Sequence, residues 1–269
     1  MTGATTGSPA LLLGRFDEDA FLDRFAEAGV VAAIEERGFR DLAFEFDASQ
    51  GPLTHARLLG SKDGCRHLLL DGCLTEVRLH PGDHGLAEVT GSEPVDLLVV
   101  YWLREQDPTA VFDAGHERLP LQEHPGLGVL RRAFRVALGL AKDLGKQGIG
   151  AFPKFFHDAA IFFHSRLFLF LDPAEQGRFE AMLRDLATLS LPDASLALAG
   201  GAVLDRDGRE VAWRPGLQLM PLVPRLTALF HSPAYQAACR AAFERERYTL
   251  DAARLAEARS VFERSLGRR

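Results

Sequence analysis

The residues with chemistry to offer gather in the middle of the chain. Arg118-Leu119-Pro120-Leu121-Gln122-Glu123-His124-Pro125-Gly126-Leu127-Gly128 is a turn-rich loop, and an amphipathic stretch, Val129 to Leu144, follows it. Leu127, Leu130, Phe134, Ala137, Leu138, Ala141 and Leu144 recur at three- and four-residue steps, which is the apolar stripe of a helix. Gly126 and Gly128 stand where that helix would start. There the first N–H groups lack intrahelical partners, and glycine leaves no Cβ to block an approaching anion. A plain turn built by Pro125 and the glycines would use the same residues without any ligand. Glu123, His124, His157 and Asp158 supply groups able to move protons. An imidazole exchanges near neutral pH without a large shift, and a carboxylate can act as base directly or through water. The plainer role for His157 and His164 is a helix histidine hydrogen-bonded to backbone.

Other chemistries find less support. His80, His84, His116, His124, His157 and His164 crowd the centre, and His80-Pro81-Gly82-Asp83-His84 places two imidazoles in one loop. His157 and His164 share a helix face but would stand roughly 10 Å apart along the axis, too far for one ion. No HExxH, HxH or Cys/His pattern is present, so a metal site would have to assemble from distant segments, and none is expected. There is no Gly-x-Ser-x-Gly elbow and no P-loop. Gly148-Ile149-Gly150 is followed by Pro153 where a dinucleotide fingerprint needs its third glycine.

The 269 residues suffice for a large core. The formal net charge of -6 excludes a globally basic nucleic-acid binder, although six cations between Arg131 and Lys154 face a single acid, Asp143. Three cysteines without a CxxC pair fit a reducing compartment. The N-terminus has no signal-peptide pattern and the apolar runs are too short to span a bilayer, so a cytoplasmic protein is expected.

The elements that must position these residues are a mixture. The sequence predicts a helix over Phe16 to Arg37, a short strand over Leu42 to Phe46, and hairpins turning at Asp63-Gly64 and Asp71-Gly72. Strands are predicted over Val95 to Leu103, Pro108 to Phe112, Gln147 to Phe152 and Phe168 to Leu171. Helices are predicted over Lys154 to Arg166, Ala174 to Leu189, and from Leu226 onward with a cap at Ser232-Pro233. Between Leu191 and Pro224 the chain reads as turns with a small hairpin closed by Val211 to Trp213. The aromatic run from Phe152 to Phe170 reads as core, or as the lining of an apolar cavity. The expected organisation is a flexible 1–15, an α/β domain over 16–225 and a C-terminal helical extension, 226–269, packed on it.

From Pro108 to Asp172 the chain resembles the acyl-CoA-dependent N-acetyltransferases of the GNAT superfamily. In that family a strand enters a loop of the form Gln/Arg-x-x-Gly-x-Gly/Ala, which opens a helix and holds the coenzyme A pyrophosphate. The matching positions are Glu123, Gly126 and Gly128, with Ile149 to Phe152 as the next strand. The family's following helix, Asn-x-x-Ala-x-x-Leu/Phe-Tyr and then Gly-Phe, is matched by Phe156, Ala159, Phe162, Phe163, Leu167 and Phe168. Departures are Glu123, whose carboxylate repels phosphate, Phe163 for the tyrosine that commonly protonates the thiolate, Phe156 for Asn and Leu167 for Gly.

The resemblance implies an α+β fold with one mixed antiparallel/parallel sheet of acyl-CoA N-acyltransferase type, flanked by helices and extended by helices at both ends. It also implies acyl transfer from acetyl-CoA or another acyl-CoA to a small-molecule or peptide amine. The amides of Gly126, Leu127, Gly128 and Val129, aided by Arg131 or Arg132, would hold the pyrophosphate. His157, Asp158, Glu123 and His124 would handle protons. Two other functions stay open at this stage: a transferase-like ligand- or protein-binding module without catalysis, and a histidine-based metal enzyme. No nucleic-acid or membrane partner is expected, and a homodimer is allowed.

Overall fold

The computed structural model describes residues 10–80, 93–113 and 118–266. His84 and His116, and with them the two-imidazole loop, lie outside the described residues, as does most of the stretch 1–15. The fold is mixed α and β. Seven strands form one mixed sheet in the order β1-β2-β3-β4-β5-β8-β6. They are β1 (Arg40–Asp47), β2 (Thr54–Lys62), β3 (Cys65–Leu79), β4 (Val95–Glu105), β5 (Gly148–Ala151), β6 (Leu169–Phe170) and β8 (Gln218–Pro221). A separate antiparallel pair joins β7 (Val203–Leu204) to β9 (Thr249–Leu250). No helix among the described residues is long and apolar enough to cross a membrane.

The chain divides into two compact units. The first takes in Met1–Val77, Leu98–Ala110 and His124–Gly145, and the second Arg78–Leu97, Val111–Glu123 and Lys146–Arg269.

In the first unit the predicted N-terminal helix is two, α1 (Glu18–Glu27) and α2 (Val30–Glu35). Gly29 adopts φ 74°, a left-handed conformation that ends one helix and starts the next. Phe21 and Phe25 of α1 pack on Phe44 of β1 with ring centroids 4.8 and 4.9 Å away. Asp63-Gly64 makes the predicted hairpin, but Asp71-Gly72 does not turn: it lies inside the fifteen-residue β3, opposite Arg57 and Ala56. A Cβ at Gly72 would come within 3.3 Å of Leu103 and 3.5 Å of the Trp102 carbonyl oxygen, so glycine serves close approach there, not reversal. Trp102 is 39% exposed and its ring meets His55. The predicted strand over Pro108 to Phe112 is also absent. Asp107 holds the N–H and hydroxyl of Thr109 on Oδ1 and accepts Ala110 N–H on its carbonyl, folding the segment into a turn. Helix α3 (Leu130–Asp143) buries Ala133, Val136, Leu140 and Ala141.

The second unit holds α4 (Phe156–His164), α5 (Pro173–Asp185), α6 (Leu191–Ala199), α7 (Pro224–His231), α8 (Pro233–Arg245) and α9 (Ala252–Leu266). Asp172 and Ser232 cap α5 and α8 as their sequence positions suggest. Helix α6 lies where turns were predicted, although Ser190 before Leu191-Pro192 is a cap signal, and its hydroxyl accepts from Asp193 N–H. Part of the aromatic run is core: Phe156, Phe168 and Phe170 are buried, Phe156 and Phe170 together with Phe179, and Trp213 packs against those three rings. Helices α5 and α8 approach closely at Gly177, where a Cβ would stand 2.1 Å from the Cys239 carbonyl oxygen.

Candidate functional site

The loop before α3 forms the turn that the sequence suggests, with Gly128 at φ 69°. No side chain at the N-cap position of α3 satisfies the helix start. Glu105, the last residue of β4, does so instead. Its Oε2 accepts the Val129 N–H at 3.0 Å, and its carboxylate also draws on the Gly128 N–H. A Cβ at Gly126 would lie 3.4 Å from Glu105 Oε1, and one at Gly128 would lie 3.7 Å from an Arg37 nitrogen. Arg37 in turn pairs with the buried Asp107 at 3.4 Å. The anion-binding geometry is therefore present, but the anion in it is the protein's own carboxylate. Burial pushes the Glu105 carboxyl above its ordinary pKa, against the pull of the two amides and Arg37.

The other predicted loop residues are placed differently. Leu127 and Val129 are buried, and Arg131 and Arg132 are exposed on α3. The Arg132 side chain runs 3.9 Å from the Cβ position of Gly29, so it lies along the α1–α2 turn. His124 is half-buried, and Glu123 belongs to the second unit, where its carbonyl accepts from Arg118.

His157 and Asp158 belong to the second unit as well. His157 is 5% exposed, with its ring stacked on Phe155. Its Nδ1 stands 2.7 Å from Ser195 Oγ, and its Nε2 stands 3.5 Å from Asp158 Oδ1. Asp158 Oδ2 accepts the Phe155 N–H at 3.2 Å, closing the start of α4. Burial holds His157 below its ordinary pKa, so the imidazole is neutral at pH 7. His164 takes the plain role, Nδ1 to the Ala160 carbonyl oxygen at 2.6 Å. Phe163, which the resemblance matches to a tyrosine, packs edge-on to Phe179 at 5.4 Å.

Ser195 was not singled out by the sequence. It sits inside α6 without the elbow motif that marks a nucleophile, and only the meeting of α4 with α6 brings it to His157. It lines an open cavity of about 910 Å³ within the second unit. Phe155, Phe156, Leu196 and Trp213 form its apolar walls, and Lys154 and Arg254 are its cations. Arg254 is held by Glu210 and Asp251, whereas Lys154 meets only the Phe155 ring among the described residues. No group of three or more metal-ligating side chains converges among the described residues. The chain matches no protein-family model, and no curated protein is significantly similar to it.

Proposed function

We propose that this chain is a transferase-type domain that acts as a ligand-binding module and does not use its glycine loop to take acyl groups from coenzyme A. The succession β4, glycine loop, α3, β5 in a mixed sheet supports the N-acyltransferase type of fold. The observation that carries the functional reading is Glu105 on the amides of Gly128 and Val129. A phosphate oxygen brought to ~4 Å from that carboxylate would meet about 4 kcal/mol of repulsion at an effective dielectric near 20. That is roughly a thousandfold in affinity. Phe163 removes the hydroxyl that would protonate a thiolate. The ligand surface in this reading is the cavity of the second unit, whose size and apolar walls suit a small organic molecule.

Calorimetric titration and thermal melting with coenzyme A and acetyl-CoA test this. A ligand at a hundred times its Kd adds about 2.7 kcal/mol of apparent stability. The expected result at millimolar ligand is no heat and no shift in Tm. Low-micromolar binding of either compound would return the loop to the acyl-CoA reading.

A further inference from the structure

Four buried polar side chains of the second unit stand out against its apolar interior: His157, Gln176, Ser195 and Gln218. Gln176 is accounted for, its Oε1 accepting Phe170 N–H and its Nε2 donating to Glu180. Gln218 Nε2 donates to the Ala159 carbonyl oxygen, and its Oε1 has no hydrogen-bond partner among the described residues. His157 and Ser195 instead satisfy each other, on neighbouring helices whose small residues Ala159, Ala160, Ala194 and Ala197 are all core. Two apolar side chains would fill this place without the cost of burying polar groups.

The tautomer follows from the neighbours. With Asp158 Oδ1 3.5 Å from Nε2, we assign the ring proton to that nitrogen, which leaves the Nδ1 lone pair directed at the Ser195 hydroxyl. A neutral imidazole that accepts from a serine hydroxyl and is oriented by a carboxylate on its far nitrogen is the arrangement of an activated nucleophile. We propose that Ser195 is a nucleophile for acyl groups entering the cavity it lines, with His157 as its general base and Asp158 as the residue that positions the imidazole. This goes beyond the binding function proposed above, and it involves no coenzyme.

The substrate class is an ester with an apolar acyl or aryl group, matched to walls of Phe155, Phe156, Leu196 and Trp213. Ser195 Oγ forms a bond to the carbonyl carbon while its proton passes to His157 Nδ1. The carbon–oxygen bond of the ester then breaks, and the alcohol leaves with that proton. Water adds to the acyl-serine, giving its proton to Nδ1, and the serine oxygen departs and recovers it, so the net reaction is ester plus water to acid plus alcohol. Lys154, free of carboxylate partners among the described residues, is the cation of the cavity that can face the developing oxyanion.

The test uses the full-length protein, a fluorophosphonate probe and p-nitrophenyl butyrate. The expected result is a covalent adduct mapped to Ser195 by peptide mass spectrometry, with ester hydrolysis above background. Both should vanish in Ser195→Ala, and labelling should slow by roughly a hundredfold or more in His157→Gln, the scale of general-base catalysis. Circular dichroism and melting establish that each variant is folded. Ser195→Cys keeps the contact should Ala fail to fold. In it, iodoacetamide should alkylate residue 195 of the native protein faster than it alkylates the same cysteine with His157→Gln added. An unlabelled wild type, or labelling and hydrolysis that persist unchanged in Ser195→Ala, would reduce the pair to a packing contact and overturn the proposal. Equal alkylation with and without His157 would do the same.

Discussion

Replacing Glu105 separates its two effects, capping α3 and burying a charge. In Glu105→Ala the amides of Gly128 and Val129 lose their acceptor. An N-cap contact is worth about 1 kcal/mol, and a carboxylate at a helix start adds about 0.3–1 kcal/mol. Against this stands the desolvation that raises the Glu105 pKa, so a net loss of about 1 kcal/mol at pH 7 is expected. For a chain of this length that is about 2–4 °C in Tm. Glu105→Gln keeps one acceptor and removes the titration. Because the folded-state pKa is raised, the stability linked to this proton is fully present below about pH 4.5, the ordinary carboxyl value. It is lost as pH rises through the folded value. Urea titrations at pH 4.5 and 7 should therefore show wild type gaining on Glu105→Gln as the pH is lowered. If wild type instead gains as the pH is raised, the carboxylate is stabilised in its ionised form, and the account of a costly buried charge is wrong.

Gly177→Ala should cost about 3 kcal/mol or more, because its methyl would meet the Cys239 carbonyl oxygen at 2.1 Å and α5 would have to part from α8; a melt within a degree of wild type would refute that contact. His157 is held neutral by burial, with its folded pKa below 6.5, so its contribution is complete above pH 6.5 and falls as the pH drops toward the folded value. His157→Gln should flatten that part of the stability profile measured by urea melts between pH 5 and 7. Phe163→Tyr places a hydroxyl where the family resemblance wants one, but in the rings around Phe179. The expected result is lower stability and no acetyl transfer from acetyl-CoA in a thiol-release assay. With Ellman's reagent only the exposed Cys65 should react in the native protein. Cys73 and Cys239 are buried, and the Cys239 thiol is pushed up to about 11, so they should appear only on unfolding.

Much of the fold was legible because its signals are local. The Asp63-Gly64 turn, the caps at Asp172 and Ser232, and the existence of α3 each follow from a few neighbouring residues, although α3 buries Ala133, Val136, Leu140 and Ala141, of which the predicted stripe held only Ala141. The misreadings share a cause. Asp71-Gly72 is a turn dipeptide by type, yet it is paired with Arg57 and Ala56 inside β3, where a side chain at Gly72 would meet Leu103, 31 positions on. The site divides in the same manner. The bare amides before α3 could be read from Pro125, Gly126 and Gly128, but not that Glu105, over twenty residues upstream, would reach them. Ser195 and His157, separated by 38 positions, meet only because alanines let two helices close, and no motif encodes that.

Each unit carries one of the chain's two tryptophans, Trp102 in the first and Trp213 in the second. Trp102 is partly open to water, while the Trp213 indole N–H is tied to the Pro153 carbonyl oxygen at 3.2 Å and its ring forms part of the cavity wall. Emission from Trp102→Phe protein would come from the cavity alone, and from Trp213→Phe protein from the first unit alone. The fluorescence of this chain thus comes already sorted, with one lamp in each unit and only the second placed to dim when a molecule enters.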